Sequence, residues 1–468
     1  MANYKTPGVY VEEISLFPPS VAQVETAIPA FIGYTEEGPT EPTKIKSMVD
    51  YRTIFGGPSK ELPDFTIDGS GNITADASIP TTPVYKMYYM LEIYFSNGGG
   101  PCYILSVGGY QSSPAVTPSE LSGALSLLKK EDEPTLILFP DAQSISDPTD
   151  YHGLYVDAMI QCANLGDRFT ICDVQPADSS STDPVGDAAQ TFRDNIGTNN
   201  LMYGAAYYPN LKTSLVHQYN EDELTIDNNG TSMVLRHSDV TLAEDSSKEA
   251  ESLFHANNGA DRSKYYDIRK MIEDVKLILP PSGAVAGAYA LVDSNRGVWK
   301  SPANVSLNRV SAPTVSMETS EQDGLNVSDT GKSINAIRKF SGKGVLIWGA
   351  RTLDGNSNEW RYVSVRRFFN MVEESVKKAS SRFVFEPNDA NTWVKVKAMI
   401  ENFLTLQWRA GALMGAKAED AFFVKVGLGE TMTQDDVLNG RMIVEIGMAA
   451  VRPAEFIILR FSHKMIES

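Results

Sequence analysis

Hydrophobic and polar positions change period several times along this chain, and the changes mark out its elements. Near the start, Val9, Tyr10 and Val11 follow Pro7-Gly8, are bounded by Glu12-Glu13 and lead to Phe17-Pro18-Pro19. That is one short strand between breakers, with no neighbour in sequence to pair with. An apolar run follows at 28–32, then the turns Glu37-Gly38-Pro39 and Phe55-Gly56-Gly57-Pro58. From 59 to 82 the chain is rich in Gly, Asp, Ser and Thr with no clear period, and it reads as a loop. Residues 84–94 carry a helical pattern, and a glycine turn at 97–101 leads into a buried-type strand at 102–107.

Between about 115 and 205, helices at 121–130 and 151–165 alternate with strands at 135–139 and 169–174, which predicts βαβ units and a mostly parallel sheet. Residues 218–262 are polar with few aromatics and read as a surface insertion. The pattern at 334–340 reads as a helix and 344–348 as a short buried strand. Val365, Phe368, Phe369, Val372 and Val376 fall on one helical face, and so do Trp393, Val396, Ile400, Phe403 and Leu404. Strands are expected at 421–426 and 441–448. The chain closes on Phe456-Ile457-Ile458-Leu459-Arg460-Phe461, so it finishes, as it starts, in a strand.

With 468 residues, two to four domains are expected. The formal charge of -18, with no dense basic run, argues against a nucleic-acid partner. Cys102, Cys162 and Cys172 lack the C-x-x-C spacing of a zinc or redox site and cannot all pair. A reducing compartment is favoured, and Cys102 and Cys172, in apolar stretches, read as small buried hydrophobes. The N-terminus lacks an apolar signal-like core, and no apolar run reaches about 18 residues, so membrane insertion is not expected.

Three constellations resemble enzyme sites. Gly331-Lys332-Ser333 echoes a phosphate loop, but an apolar strand should precede it and the glycine expected at Asn326 is missing. It reads as an ordinary helix entry. Gly230-Thr231-Ser232-Met233 looks like the nucleophile segment of subtilisin-like proteases, with Asp141 and His152 preceding it in the right order. Triad chemistry needs Ser held beside His with a buried Asp orienting the ring, and Ser232 lies in the polar insertion. A subtilisin-like hydrolase therefore stands only as the alternative. His152, His217, His237, His255 and His463 are scattered without metal-ligand spacing, so no metal or cofactor is expected. Arg351, Arg366 and Arg367 could bind an anion, but acidic neighbours favour core or interchain ion pairs.

Several segments together resemble the contractile tail sheath family. They are Thr6-Pro7-Gly8-Val9-Tyr10-Val11-Glu12-Glu13, Ala27-Ile28-Pro29-Ala30-Phe31-Ile32-Gly33 and Leu279-Pro280-Pro281-Ser282-Gly283-Ala284-Val285-Ala286-Gly287 with the stretch 293–304. Trp348-Gly349-Ala350-Arg351-Thr352-Leu353, Phe385-Glu386-Pro387-Asn388 and Pro453-Ala454-Glu455-Phe456-Ile457 continue the series. The resemblance covers roughly 20–110 and 200–468. It implies a non-enzymatic subunit that forms a helical sleeve around an inner tube in phages, pyocins or extracellular injection systems. Contraction of the sleeve drives the tube through a target envelope. Type VI secretion sheaths split this polypeptide in two, so one chain fits a phage-like or extracellular system better.

The implied fold is α/β and α+β multidomain, with a subtilisin-like middle lacking the protease site. By this resemblance, 1–20 is a linker arm, 21–110 the first part of the body and 111–345 the α/β domain. A C-terminal α+β domain facing the tube spans 346–453, and a second arm spans 454–468. The arms would add strands to neighbouring copies through Val9, Tyr10, Val11, Phe456, Ile458, Leu459 and Phe461. Lys395 and Lys397 would face the tube. Implied partners are further copies, an inner tube protein, and baseplate and cap proteins, assembled in the bacterial cytoplasm for a phage tail or a released particle. A lone strand exposes unpaired N–H and C=O groups, and strand addition between copies satisfies them.

Overall fold

The computed structural model describes residues 20–237, 251–256 and 261–459. Residues 25–371 with 452–459 form one compact unit, and 20–24 with 372–451 form a second. In the larger unit the first strands are β1 (Pro29–Thr35), β2 (Thr43–Ile45), β3 (Phe65–Ile67), β4 (Ile73–Ala75), β5 (Cys102–Gly109), β6 (Leu136–Leu138), β7 (Phe169–Asp173) and β8 (Gly204–Tyr208). There follow β9 (Leu211–Val216), β10 (Thr225–Asn228), β11 (Thr231–Val234), β12 (Lys276–Leu279), β13 (Val305–Ser306), β14 (Val310–Pro313), β15 (Ile334–Phe340) and β16 (Gly344–Ile347). Its helices are α1 (Met48–Phe55), α2 (Met87–Ser96), α3 (Pro118–Leu128), α4 (Pro148–Leu165), α5 (Pro184–Asn195), α6 (Arg262–Asp274), α7 (Ser282–Arg296) and α8 (Thr319–Asn326).

Nine strands make the central sheet, in the order β13-β16-β15-β8-β7-β6-β1-β5-β2. The run from β15 to β5 is parallel throughout, as the alternation of helices and strands predicts. β16, β13 and β2 are antiparallel additions at the two edges. Because side chains alternate along a strand, each strand feeds two cores. Ala30, Ile32, Leu105, Ile137, Phe139 and Cys172 pack on one face with side chains of α3, α4 and α5. Phe31, Cys102, Ile104, Leu138, Ile171 and Tyr207 pack on the other with α1, α2 and α7. A sheet covered on both faces needs near-continuous apolar strands, which is why these segments read as buried strands. The helices start where local chemistry allows. α4 and α5 have proline in the first turn and the Asp147 and Asp183 carboxylates on backbone N–H groups, and α4 stops at Gly166 with φ 75°.

Three readings are corrected by the larger unit. The stretch 59–82 is not simply a loop, and the polar insertion is not simply surface. β3 from the first pairs in parallel with β10 from the second, giving a sheet ordered β11-β10-β3-β4. Phe65, Ile67, Ile226, Leu235, Ile268 and Ile272 bury a separate core there with α6. Strands of three or four residues carry too few inward side chains to show a period. The stretch 334–340 is strand β15, not a helix, because β8 and β16 lie on its two sides and take its backbone groups.

The smaller unit contains the end of α9 (Val363–Ser380), α10 (Ala390–Arg409), α11 (Ala418–Ala421), β17 (Phe422–Lys425), α12 (Gln434–Leu438) and β18 (Glu445–Met448). Asp389 caps α10 by accepting from Asn391 and Thr392 N–H, both at 3.0 Å. Val396, Ile400, Phe403 and Leu404 are buried along one face of α10, with Trp393 half-buried beside them. β17 and β18 form a two-stranded antiparallel sheet, shorter than the strands expected at 421–426 and 441–448.

Candidate assembly surface

The residues that looked catalytic are not brought together. Asp141 follows β6, next to the point where the strand order reverses around β1. In open parallel sheets a ligand crevice commonly lies there. Here the fully buried Asp141 carboxylate accepts from the backbone N–H groups of Tyr34 at 2.8 Å, Lys86 at 2.5 Å and Met87 at 3.1 Å. A Cβ on Gly33 would strike Oδ2 of that carboxylate, so glycine is required at this close approach. Burial pushes Asp141 up to about 6 against the pull of these hydrogen bonds. Beside it Lys86 is pulled down to about 8 by burial, its Nζ donating to the carbonyl of Val84 and to Ser144 Oγ. The crevice is filled by the chain's own polar groups.

His152 lies in α4 with Nδ1 2.6 Å from the Pro148 carbonyl and its ring edge-on to Tyr151 and Phe192. Burial lowers its pKa, which favours the neutral ring. Ser232 is exposed on β11 of the small sheet. The serine that does open a helix beside a buried carboxylate is Ser282, inside the Pro-Pro-Ser-Gly motif. Its N–H and Oγ donate to Asp173 at 2.8 and 2.6 Å. Its partner is a carboxylate and not an imidazole, so this is not the Ser-His-Asp arrangement.

Lys332 is buried with Nζ donating to the Arg193 carbonyl, and Ser333 Oγ donates to the Asn326 carbonyl. The Gly-Lys-Ser turn therefore enters a strand with its polar groups already used. Among the described residues no group of His, Cys, Asp and Glu could hold a metal ion. His463 lies outside the described residues. All three cysteines are free and buried. Arg351 and Arg367 make the core ion pairs that their acidic neighbours suggested. Arg351 pairs with Glu455 at 2.6 Å, and Arg367 pairs with Asp293 at 2.5 Å over the ring of Tyr289. Arg366 lies over Trp360 and Tyr203 and donates to Asn370.

What remains open is surface of a different kind. Phe456, Ile457, Ile458 and Leu459 are 69–80% exposed, and they pair with no strand among the described residues. Residues 456–459 of the expected terminal strand are thus exposed and in no strand, and the rest of it lies outside the described residues. Val9, Tyr10, Val11 and Phe461 lie outside the described residues. In the smaller unit β17 and β18 each keep one edge without a strand partner among the described residues. Phe423 on β17 is 45% exposed, under the Lys425 ammonium. A wholly apolar exposed run and an unfinished sheet are both features that soluble chains normally suppress. On α10 Lys395 is exposed and Lys397 half-exposed. Among the described residues no helix is long and apolar enough to cross a membrane.

A fold with a closed crevice and open strand edges is that of an assembling structural protein. The phage tail sheath protein central domain matches residues 155–353 and the phage tail sheath C-terminal domain matches residues 356–464. The chain belongs to the contractile tail sheath family. It is 32% identical to a chain of the anti-feeding prophage helical sheath in its contracted state, over 98% of this chain and 100% of that one, with a TM-score of 0.65. The sheath complex of an extracellular contractile injection system, PVC, also in the contracted state, is 30% identical over 99% of both chains, again with a TM-score of 0.65. The tail sheath protein of Vibrio phage KVP40 is 28% identical over 130 residues, which are 27% of this chain and 19% of the phage protein. The matched stretch thus spans about a fifth of that phage relative.

Proposed function

We propose that this chain is the structural subunit of a contractile sheath that polymerises helically around an inner tube and contracts to drive the tube through a target cell envelope. The single observation that carries the reading is the run 456–459, four large apolar residues that are exposed and pair with no strand among the described residues. Two arms, one at each end of the chain, match two unfinished sheet edges in number. The C-terminal arm, through Phe456, Ile458, Leu459 and Phe461, and the N-terminal arm, through Val9, Tyr10 and Val11, add as strands to β17–β18 sheets of neighbouring copies. Main-chain hydrogen bonds supply the attraction and alternate side chains set the register. A heterologous contact whose rotation does not close yields an open helix. During contraction the bodies re-dock as rigid units while the strand links persist.

The sheet of the α/β domain has a subtilisin-like descent in this reading, with the crevice filled and no nucleophile retained, and the chain is not an enzyme. α10 meets the inner tube through Lys395 and Lys397. Baseplate and cap proteins close the two ends of the sleeve, and assembly takes place in the bacterial cytoplasm before the particle is released. The test is electron microscopy of the chain co-expressed with its tube protein. Full-length chain should give sheathed tubes, whereas removal of 456–468 should leave folded monomer with unchanged thermal unfolding and bare tubes. Normal sheaths from the truncated chain would overturn the arm reading.

A further inference from the structure

The exposed run 456–459 is preceded by a residue in a very different setting. Glu455 Oε1 accepts from Arg351 Nε at 2.9 Å and Asn326 Nδ2 at 2.9 Å. Its Oε2 accepts from Arg351 Nη2 at 2.6 Å and from the Tyr362 hydroxyl at 3.2 Å. Each oxygen therefore has two donors, and the carboxylate is saturated. The socket is itself held in place. The Arg351 backbone N–H and carbonyl both bond to the Asn335 side chain on β15, and Arg351 Nη1 donates to the Asn326 carbonyl. Only Nε and Nη2 of the guanidinium remain, presented as a fork. On either side of Glu455 the chain is exposed, at Ala454 and from Phe456 to Leu459.

We infer that Asn326, Arg351 and Tyr362 form a carboxylate socket that seats Glu455, making it the pivot that positions the C-terminal arm. This rests on the proposed arm function and adds to it a fixed point of departure. An arm tethered at one saturated carboxylate leaves the body in a restricted direction, so less freedom is lost when it pairs with the neighbouring copy. Glu455 is a positioning residue: it touches no partner and acts through the four apolar residues after it. Nothing in sequence periodicity marks it except one carboxylate set into an otherwise apolar end, Ala-Glu-Phe-Ile-Ile-Leu.

The full-length chain tests this directly, because Cys102, Cys162 and Cys172 are fully buried and a nitroxide will label an introduced Ile458→Cys alone. Glu455→Gln should sharpen the electron paramagnetic resonance line of that label. In the unlabelled chain it should cut the yield of sheathed tubes by about tenfold, the scale of a lost preorganisation. Tyr362→Phe removes one neutral donor, leaves the ion pair, and should shift both readings the same way by a smaller factor. It decides the matter if Glu455→Gln fails to fold. An unchanged line shape overturns the pivot, and so does a loosened arm that sheathes tubes as well as the wild type. If the wild-type chain sheathes no tubes, the assembly reading falls, while the line shapes still decide whether Glu455 seats the arm.

Discussion

The nine-stranded sheet of the larger unit and the two-stranded sheet of the smaller one treat their edges in opposite ways. The large sheet ends in β2, three residues long, and β13, only two, each antiparallel to its neighbour. Very short edge strands offer a further chain too few N–H and C=O groups to pair with. β17 and β18 instead stop at two strands, a size that is marginal without support, and neither outer edge carries a further strand among the described residues. In the proposed assembly the body ends at its edges, and the C-terminal sheet is the one that neighbouring copies continue. The difference separates two kinds of residue: those whose loss harms folding and those whose loss harms assembly.

The largest expected effect should fall in the body. Asp293 accepts from Arg367 and from Thr26 Oγ, and the Arg367 guanidinium is buried. Asp293→Ala strands that charge and should cost about 3–5 kcal/mol in urea unfolding. A loss below about 1 kcal/mol would mean that the body is not the closed unit described.

Acid sharpens the contrast through two carboxylates of opposite sign. Burial pushes Asp173 up to about 7, against the Ser282 hydrogen bonds, from an ordinary 3.8. Between about pH 4 and pH 7 the folded chain keeps a proton that the unfolded chain has released, so stability should fall as pH rises through that window, by at most about 1.4 kcal/mol per pH unit. Denaturant midpoints across this range should flatten in Asp173→Asn. Glu455 behaves the other way. Partial burial opposes its ionisation, but the bonds from Arg351 and Asn326 outweigh it and hold the carboxyl below its usual range. Its contribution is complete at neutral pH and is lost as pH falls through the lowered value.

The smallest effect on stability should come from α10. Lys395→Glu with Lys397→Glu changes exposed and half-exposed positions and should move unfolding by no more than about 0.5 kcal/mol. Sheathing of the tube should nevertheless drop, as measured by co-sedimentation. Unchanged sheathing would remove α10 from the tube contact.

Legibility in the sequence followed the range of the interactions. β5, β6, β7, α3, α4 and α10 are legible because their apolar periods lie within one segment. The stretch 334–340 was misread because Ile334, Ile337 and Phe340 satisfy a helical spacing, while Ile334 and Ala336 equally satisfy a strand's. The triad of Asp141, His152 and Ser232 had the right order in the chain and no shared location in the fold. Ser282, which does sit at a helix start against a buried carboxylate, carried no signal that distinguished it within its motif.

Local pattern alone therefore determined the alternation of helices and strands, the burial of Cys102 and Cys172 and the existence of an apolar end with no partner nearby. Tertiary structure alone decided that 59–82 and the polar insertion pair through β3 and β10, that the sheet's crevice is plugged by Asp141, and that Glu455 is seated while its neighbours are free. The physical reason is common to all three. Each depends on backbone or carboxylate groups meeting donors far away in sequence, and a donor's position in space leaves no trace in the periodicity of the segment that uses it.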